Sequence, residues 1–262
     1  MSTSLATNVS TPASEEPPRQ EPSDWLESVQ SLVMTVVIAV FVISFVAQAF
    51  QIPSESMEET LLIGDYLLVD KLHFGGNKDS GGLVPYGHVQ HGDIVVFHYP
   101  VDPSKHFVKR VIGVPNDRIR LVNKQVWVNG VPQHESYVHI KGFPEDVFRD
   151  NFPRLDFLSA GIDARWVLAL RDHIDRGELV VPPGNYFVMG DNRDDSSDSR
   201  YWGFVPEGNI IGRPLVIYWS IRNTDGDLPA TSTVSDRIVH FLYVFTHLFQ
   251  VTRWDRMFRV PR

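Results

Sequence analysis

The amino-acid sequence predicts a mainly β domain preceded by one N-terminal transmembrane helix. Three observations carry this. Short runs of β-branched and aromatic residues follow one another from Tyr66 to Trp219, with Gly, Pro and Asn at the joints. Ahead of them, Leu32 to Phe50 is an unbroken stretch without charge. Between about Val131 and Val180 the β pattern gives way to a helical one, which marks an inserted, smaller α/β region.

Residues 1–24 are rich in Ser, Thr, Pro and Glu and almost lack large apolar side chains. Such a stretch buries too little surface to offset its ordering entropy, which predicts a disordered tail. The anchor is expected over 28–50. At about 1.5 Å per residue, Leu32 to Phe50 reaches roughly 28 Å, close to the thickness of a bilayer's hydrocarbon. Thr35, Ser44 and Gln48 are its only polar interruptions. Ala47-Gln48-Ala49 has the small residues of a signal-peptide cleavage site. Two features favour a retained anchor over a cleaved signal. The apolar run exceeds the usual core of about 7–15 residues. The preceding tail is acidic (Glu15, Glu16, Glu21, Asp24, Glu27), with Arg19 alone basic. The flanks carry too little Lys or Arg to set an orientation.

The β domain is expected over 51–235, with strands at 66–70, 93–99, 106–112, 118–122, 125–128, 185–189 and 213–219. Asn129-Gly130 and Pro182-Pro183-Gly184 supply turns. The inserted region is placed at about 121–183. Within it Asp163 caps a helix whose Trp166, Val167, Leu170 and Ile174 share one face, and Gly177 ends it. The last segment, 236–262, joins the aromatic run Ile238 to Val251 to Arg237, Arg253, Arg256, Arg259 and Arg262. It is too short to span a bilayer. It suits an amphipathic segment lying on a membrane surface, or equally a terminal helix packed on the β domain.

Composition removes several function classes. Lys and Arg number 24 against 32 for Asp and Glu, a formal net charge of -8, which argues against a nucleic-acid binder. The absence of cysteine excludes disulfides, thiolate zinc sites and a cysteine nucleophile. There is no Gly-rich phosphate loop, no His-Glu-x-x-His and no Gly-x-Ser-x-Gly. His88, His91, His98, His134 and His139 fall in no ligand spacing. The loop Asp191 to Asp198 lacks the Gly and Glu of a calcium loop and contains Arg193. Neither metal nor cofactor is expected.

Three segments hold the residues suited to chemistry. In Ile52-Pro-Ser-Glu-Ser-Met57, Ser54 and Ser56 are two apart and share a side if the chain is extended. In Phe107-Val-Lys-Arg-Val-Ile-Gly113, a strand places Lys109 between Phe107 and Val111 on one face. If that face is buried, desolvation lowers the lysine pKa from about 10.4 toward neutrality, where an amine serves as a general base. Lys71, at the end of its own strand, is the rival lysine. In Gly190-Asp-Asn-Arg-Asp-Asp-Ser-Ser-Asp-Ser-Arg200, charged and hydroxyl groups crowd against Tyr201 and Trp202.

In order and spacing, these segments and the Gly92-Asp-Ile-Val-Val-Phe97 strand resemble the signature boxes of type I signal peptidases, from the apolar helix to about Ile217. The resemblance implies a membrane-anchored β domain of the signal-peptidase type. It implies a serine endopeptidase with a Ser-Lys dyad that removes signal peptides from exported preproteins. The partners would be those preproteins and the lipid bilayer, with no nucleic acid. The site would be the cell (plasma) membrane, with the catalytic domain on the extracytoplasmic side. Carried over by position, the nucleophile falls on Ser56, the general base on Lys109, the oxyanion hydroxyl on Ser54, the lysine-orienting serine on Ser196, and the structural ion pair on Asp198 and Arg200. Glu59 stands where many relatives have Pro, and Asp195 where many have Asn; neither change removes a catalytic group. Competing readings are a self-processing Ser-Lys protease related to the SOS repressors, and an inactive anchored β domain that binds peptides. The membrane helix and lack of a DNA-binding segment oppose the first; the presence of both Ser56 and Lys109 opposes the second.

Overall fold

A computed structural model describes residues 24–42, 46–71, 73, 87–156, 161–222 and 246–262. The tail expected over 1–24 lies outside them but for its last residue, as does 236–245 of the C-terminal segment. The chain forms two units, Met1–Phe41 and Val42–Arg262.

The first unit contains helix α1, Asp24–Phe41. Its side chains are exposed on all faces, Leu32 (64%), Ile38 (56%) and Phe41 (57%) among them. Among the described residues, no helix is long and apolar enough to cross a membrane. The anchor expected over 28–50 is therefore corrected at its end. Ala47–Gln51 is strand β1, paired antiparallel with β2, Asp65–Asp70, from Ala47 opposite Asp70 to Gln51 opposite Tyr66. An uncharged run satisfies a helix in lipid and a strand in a sheet equally, and the ladder with β2 decides for the strand.

The second unit holds two antiparallel sheets. Further strands are β3 (Ile94–His98), β4 (His106–Gly113), β5 (Arg118–Val122), β6 (Gln125–Val128), β7 (Val131–Pro132), β8 (Ile174–Asp175), β9 (Glu178–Val180), β10 (Asn185–Met189), β11 (Val205–Pro206) and β12 (Ile210–Ser220). The larger sheet runs β1-β2-β12-β3-β4-β10-β11 and the smaller β7-β6-β5-β9-β8. Period-two alternation explains why β3 is apolar throughout. Val95 and Phe97 enter one core cluster with Val111, Val188 and Trp202, while Ile94 and Val96 enter another with Met57, Leu61, Leu67 and Ile217. A sheet so covered on both faces gives β4 a dry environment for whatever polar group it carries.

The smaller sheet occupies 118–180 and packs its Ile119, Leu121, Val126 and Leu179 against Phe148 of helix α2 (Val147–Asp150), Phe152 and Trp166. Two-residue turns with positive φ close its hairpins: Asn123 and Lys124, then Asn129 and Gly130. The helix expected from Asp163 is shorter than its pattern suggested. Asp163 caps it, accepting from the Arg165 and Trp166 N–H groups, but α3 covers only Ala164–Leu170. After a 3-10 turn, Ile174 lies in β8, because Arg176 (φ 53°) and Gly177 (φ 79°) turn the chain back into β9.

The C-terminal segment departs from one amphipathic helix. Helix α5 spans Leu248–Val251 and a 3-10 turn spans Trp254–Arg256. Backbone bonds lay it along β12: Ile217 N–H donates to the Arg259 carbonyl (2.9 Å) and Phe258 N–H to the Ile217 carbonyl (2.7 Å). Two of the arginines serve the fold. Arg256 Nη2 lies 2.6 Å, and Arg253 Nη2 3.6 Å, from the carboxylate of Asp65, which is fully buried and also accepts from Ser220 Oγ.

Candidate active site

After β1 the chain runs through Ile52 and Pro53 to Ser54, whose extended backbone caps a 3-10 turn, Glu55–Met57. Met57 and Leu61 are buried and root this turn in the core, and Leu61 N–H donates to the Met57 carbonyl (2.7 Å). Ser54 and Ser56 thus meet across a turn rather than along an extended segment, with their Oγ atoms 3.4 Å apart. Ser56 is 9% exposed, at the floor of a cleft of about 630 Å³ lined by Phe50, Ile52, Met57, Phe107, Val108 and Lys109 among others.

Lys109 reaches that floor from the middle of β4. It is only 4% exposed, and its Nζ donates to Ser56 Oγ at 2.5 Å. The Phe107 ring centroid lies 5.6 Å from the same nitrogen. Burial pushes the Lys109 pKa down to about 8, opposed by Asp198 and Asp191 and aided by Arg200. The two carboxylates fail to restore an ordinary lysine because each is held by a buried guanidinium. Arg200 grips Asp198 through Nε and Nη2, both at 2.8 Å. Arg110 grips Asp191 through Nε at 2.8 Å and Nη2 at 2.7 Å. Burial works to raise the Asp198 pKa, but Arg200 overrides it and keeps the carboxyl below its usual range; Arg200 is held above its own for the converse reason. Asp198 also caps helix α4, Ser199–Trp202, by accepting from Arg200 N–H.

The residues singled out in the sequence fall into place unequally. Ser54, Ser56 and Lys109 meet in the cleft. Asp198 and Arg200 form the buried pair behind Lys109. Ser196 is buried as well, yet its Oγ makes no hydrogen bond of good geometry, to Lys109 or to any other group. It contributes to the field holding Asp198 charged without bonding it squarely. Lys71 follows β2 and does not line the cleft. Among the described residues no group of three or more His, Asp or Glu is placed to hold a metal.

Several contributors gave no sequence signal, because they act only through contacts between distant segments. Lys141 bonds Glu55, lies 2.9 Å from Glu58 and 3.6 Å from Asp195, and has its pKa raised by Glu55 and Glu58. His139 Nδ1 lies 3.1 Å from Glu59, whose φ is 29°. Glu59 and Asp195, the two departures marked by the resemblance in the sequence, therefore both meet the strap 139–141. Asn192 touches the Glu55–Met57 turn through backbone and side chain.

Gly190 brings the acidic loop onto that turn. A Cβ there would lie 2.3 Å from both the Ser56 carbonyl oxygen and Ser196 Oγ. If the cleft carries the peptidase activity that the sequence resemblance implies, Gly190→Ala is expected to lower it by about 100-fold or more, and to destabilise the fold by about 1–3 kcal/mol, because the Ser56 backbone must yield. Kinetics and thermal melts of that variant check it; wild-type activity would show that the loop need not seat so closely.

A family model described as signal peptidase, peptidase S26, matches residues 25–219. Signal peptidase I of Pseudomonas aeruginosa is 36% identical over 193 residues, covering 68% of this chain and 66% of that protein. Signal peptidase I of Leptolyngbya laminosa is 32% identical over 219 residues, covering 80% and 87%. The chain thus spans just under two thirds of the Pseudomonas protein's length. A crystal structure of a signal peptidase I from Enterococcus faecalis V583 matches at 30% identity and a TM-score of 0.35, covering 48% of this chain and 97% of that one. The chain belongs to the signal peptidase family, peptidase S26.

Proposed function

We propose that the chain is a serine endopeptidase that cleaves N-terminal signal peptides from exported preproteins, with Ser56 as nucleophile and neutral Lys109 as general base. The observation that carries the reading is the 2.5 Å contact between Lys109 Nζ and Ser56 Oγ in a buried site.

With the amine neutral, Ser56 Oγ–H donates to Nζ. Oγ attacks the scissile carbonyl carbon as its proton passes to Lys109. The carbonyl oxygen becomes an oxyanion, for which the Ser56 N–H and the Ser54 hydroxyl are the nearby donors. The Ser56 N–H belongs to the first turn of its 3-10 helix, where N–H groups lack an intrahelical acceptor. Loss of one oxyanion donor typically costs ~2.7–4 kcal/mol of transition-state stabilisation. Collapse breaks the C–N bond, and the departing amine takes the proton back from Lys109. Water then attacks the acyl-serine ester, Lys109 accepts its proton, and Ser56 is regenerated. Once Ser56 is acylated the neutral Lys109 amine needs another hydrogen-bond partner to hold it toward the incoming water, and the unpartnered Ser196 hydroxyl supports its reading as the orienting serine.

The resemblance to type I signal peptidases supports a substrate bound as an extended strand, with small residues one and three positions before the cut. Helix α1 supports attachment to a lipid bilayer: its apolar side chains are bare on every face, a pattern that needs an apolar surrounding. Membrane attachment, with the catalytic domain on the extracytoplasmic side where preproteins emerge, completes the reading.

The test is cleavage of a model precursor by detergent-solubilised protein. Because the base acts only when unprotonated, kcat/KM should rise with pH at unit slope and level off above about 8. Ser56→Ala should abolish cleavage and Lys71→Met should spare it. Cleavage by Ser56→Ala would overturn the assignment.

A further inference from the structure

Two carbonyl groups flank the residue proposed as nucleophile, and Asn192 donates to both. Its side-chain Nδ2 donates to the Glu55 carbonyl at 3.1 Å, and its backbone N–H donates to the Ser56 carbonyl at 3.2 Å. Asn192 is itself fully buried, and its Oδ1 has no partner, so the side chain is committed to this one donation. The Glu55 carbonyl also accepts from Glu58 N–H at 2.9 Å.

The Glu55 carbonyl and the Ser56 N–H belong to one planar peptide unit. Fixing the oxygen end fixes the direction of the N–H end. Two donors on the oxygen also polarise the amide and make its N–H a stronger donor. A surface-exposed turn rocks about its flanking dihedrals; this one is held from the far side by a buried amide. The second hold, on the Ser56 carbonyl, prevents the next peptide from compensating by rotation.

We propose that Asn192 is a positioning residue for the oxyanion site: its side-chain amide aims and strengthens the Ser56 N–H by holding the Glu55 carbonyl. Asn192 touches no reacting atom, and the proposal rests on the Ser-Lys protease reading of this cleft. Its effect falls on the tetrahedral transition state and leaves the base untouched. Glu55, Ser56 and Asn192 are supplied by segments more than 130 positions apart, which explains why no local motif announces the contact.

The experiment compares Asn192→Ser and Asn192→Asp with the wild-type chain on a model precursor, and measures inhibition by a peptide aldehyde, whose hemiacetal places an oxygen in the oxyanion site. Serine is smaller and shorter and cannot reach the Glu55 carbonyl; aspartate keeps the shape and removes the donor. Thermal melts establish that each variant is folded. The expected result is a fall in kcat/KM of about 10–100-fold, less than for loss of a direct donor. KM should stay nearly unchanged and aldehyde affinity should fall in parallel with kcat; in Asn192→Ser, which adds no charge near Lys109, the midpoint of the pH–rate profile should not move. A general loosening of the turn would shift that midpoint, because Lys109 would lose its burial. Full activity in a folded variant, undiminished aldehyde affinity, or a displaced midpoint in Asn192→Ser each overturns the proposal. A wild-type chain that fails to cleave the precursor takes down the protease reading and this inference with it; a wild-type chain that cleaves, beside variants that cleave as fast, sinks the inference alone.

Discussion

Lys109→Met is expected to lower cleavage on the order of 10⁴-fold while leaving the chain folded, and more stable than wild type at neutral pH. Methionine is similar in length and apolar, so it fills the same slot in β4 between Phe107 and Val111. The loss of rate follows from removal of the only amine in contact with Ser56 Oγ among the described residues. The gain in stability follows from the lowered pKa. Burial holds Lys109 near 8 in the fold, against about 10.4 in an unfolded chain. Between those values the unfolded chain binds a proton that the native one does not, so wild-type stability rises with pH across that window. Below pH 8 the burial penalty is fully present. The stability advantage of Lys109→Met should thus be greatest below pH 8 and vanish near 10.4. Denaturant titrations at several pH values read the gap directly. A variant that is less stable at every pH would mean that the amine contributes net binding to the fold.

Arg200→Met should carry the largest penalty in stability, about 3–5 kcal/mol, because it strands the Asp198 carboxylate without its countercharge. It also removes donors from the Arg149 and Arg193 carbonyls, which Arg200 holds at 3.1 and 2.9 Å. A second effect separates this from simple unfolding. Asp198 already pulls the Lys109 pKa upward and Arg200 pulls it down. With Arg200 gone, both influences favour the ammonium, and the midpoint of the pH–rate profile should move to higher pH. The double variant Asp198→Asn, Arg200→Met removes both charges. It should recover part of the stability and return the midpoint toward 8. Independent, additive effects of the two substitutions would contradict the pairing.

The sequence carried the site further than it carried the boundaries. Short, nearly continuous apolar runs are enough to locate β3 and β10, since a sheet covered on both faces demands them. Ser56 and Lys109 were singled out by the resemblance to type I signal peptidases, since their own segments would equally suit a polar linker and a lysine reaching solvent from a strand edge. The end of the apolar helix was not legible, because Ala47 to Gln51 lacks charge in either structure and only its ladder with β2 distinguishes them. The helix at 164–170 was overextended because Ile174 continues its face, while the turn at Arg176 and Gly177 decides its fate. The terminal arginines left a lipid surface and a segment packed on the β domain equally open, and Arg253 and Arg256 answer a carboxylate at Asp65 about 190 positions earlier. Asn192, Lys141 and His139 were invisible for the same reason. Their partners come from the fold, and nothing in their own spacing shows it.

The most direct measurement is of the ammonium itself. Selective carbon-13 labelling of lysine and NMR titration of the Lys109 Cε resonance, identified by its loss in Lys109→Met, would follow the proton on and off. A midpoint near 8 is the predicted result. A midpoint near the ordinary lysine value would leave Ser56 facing a permanent cation, and the dyad would have no base.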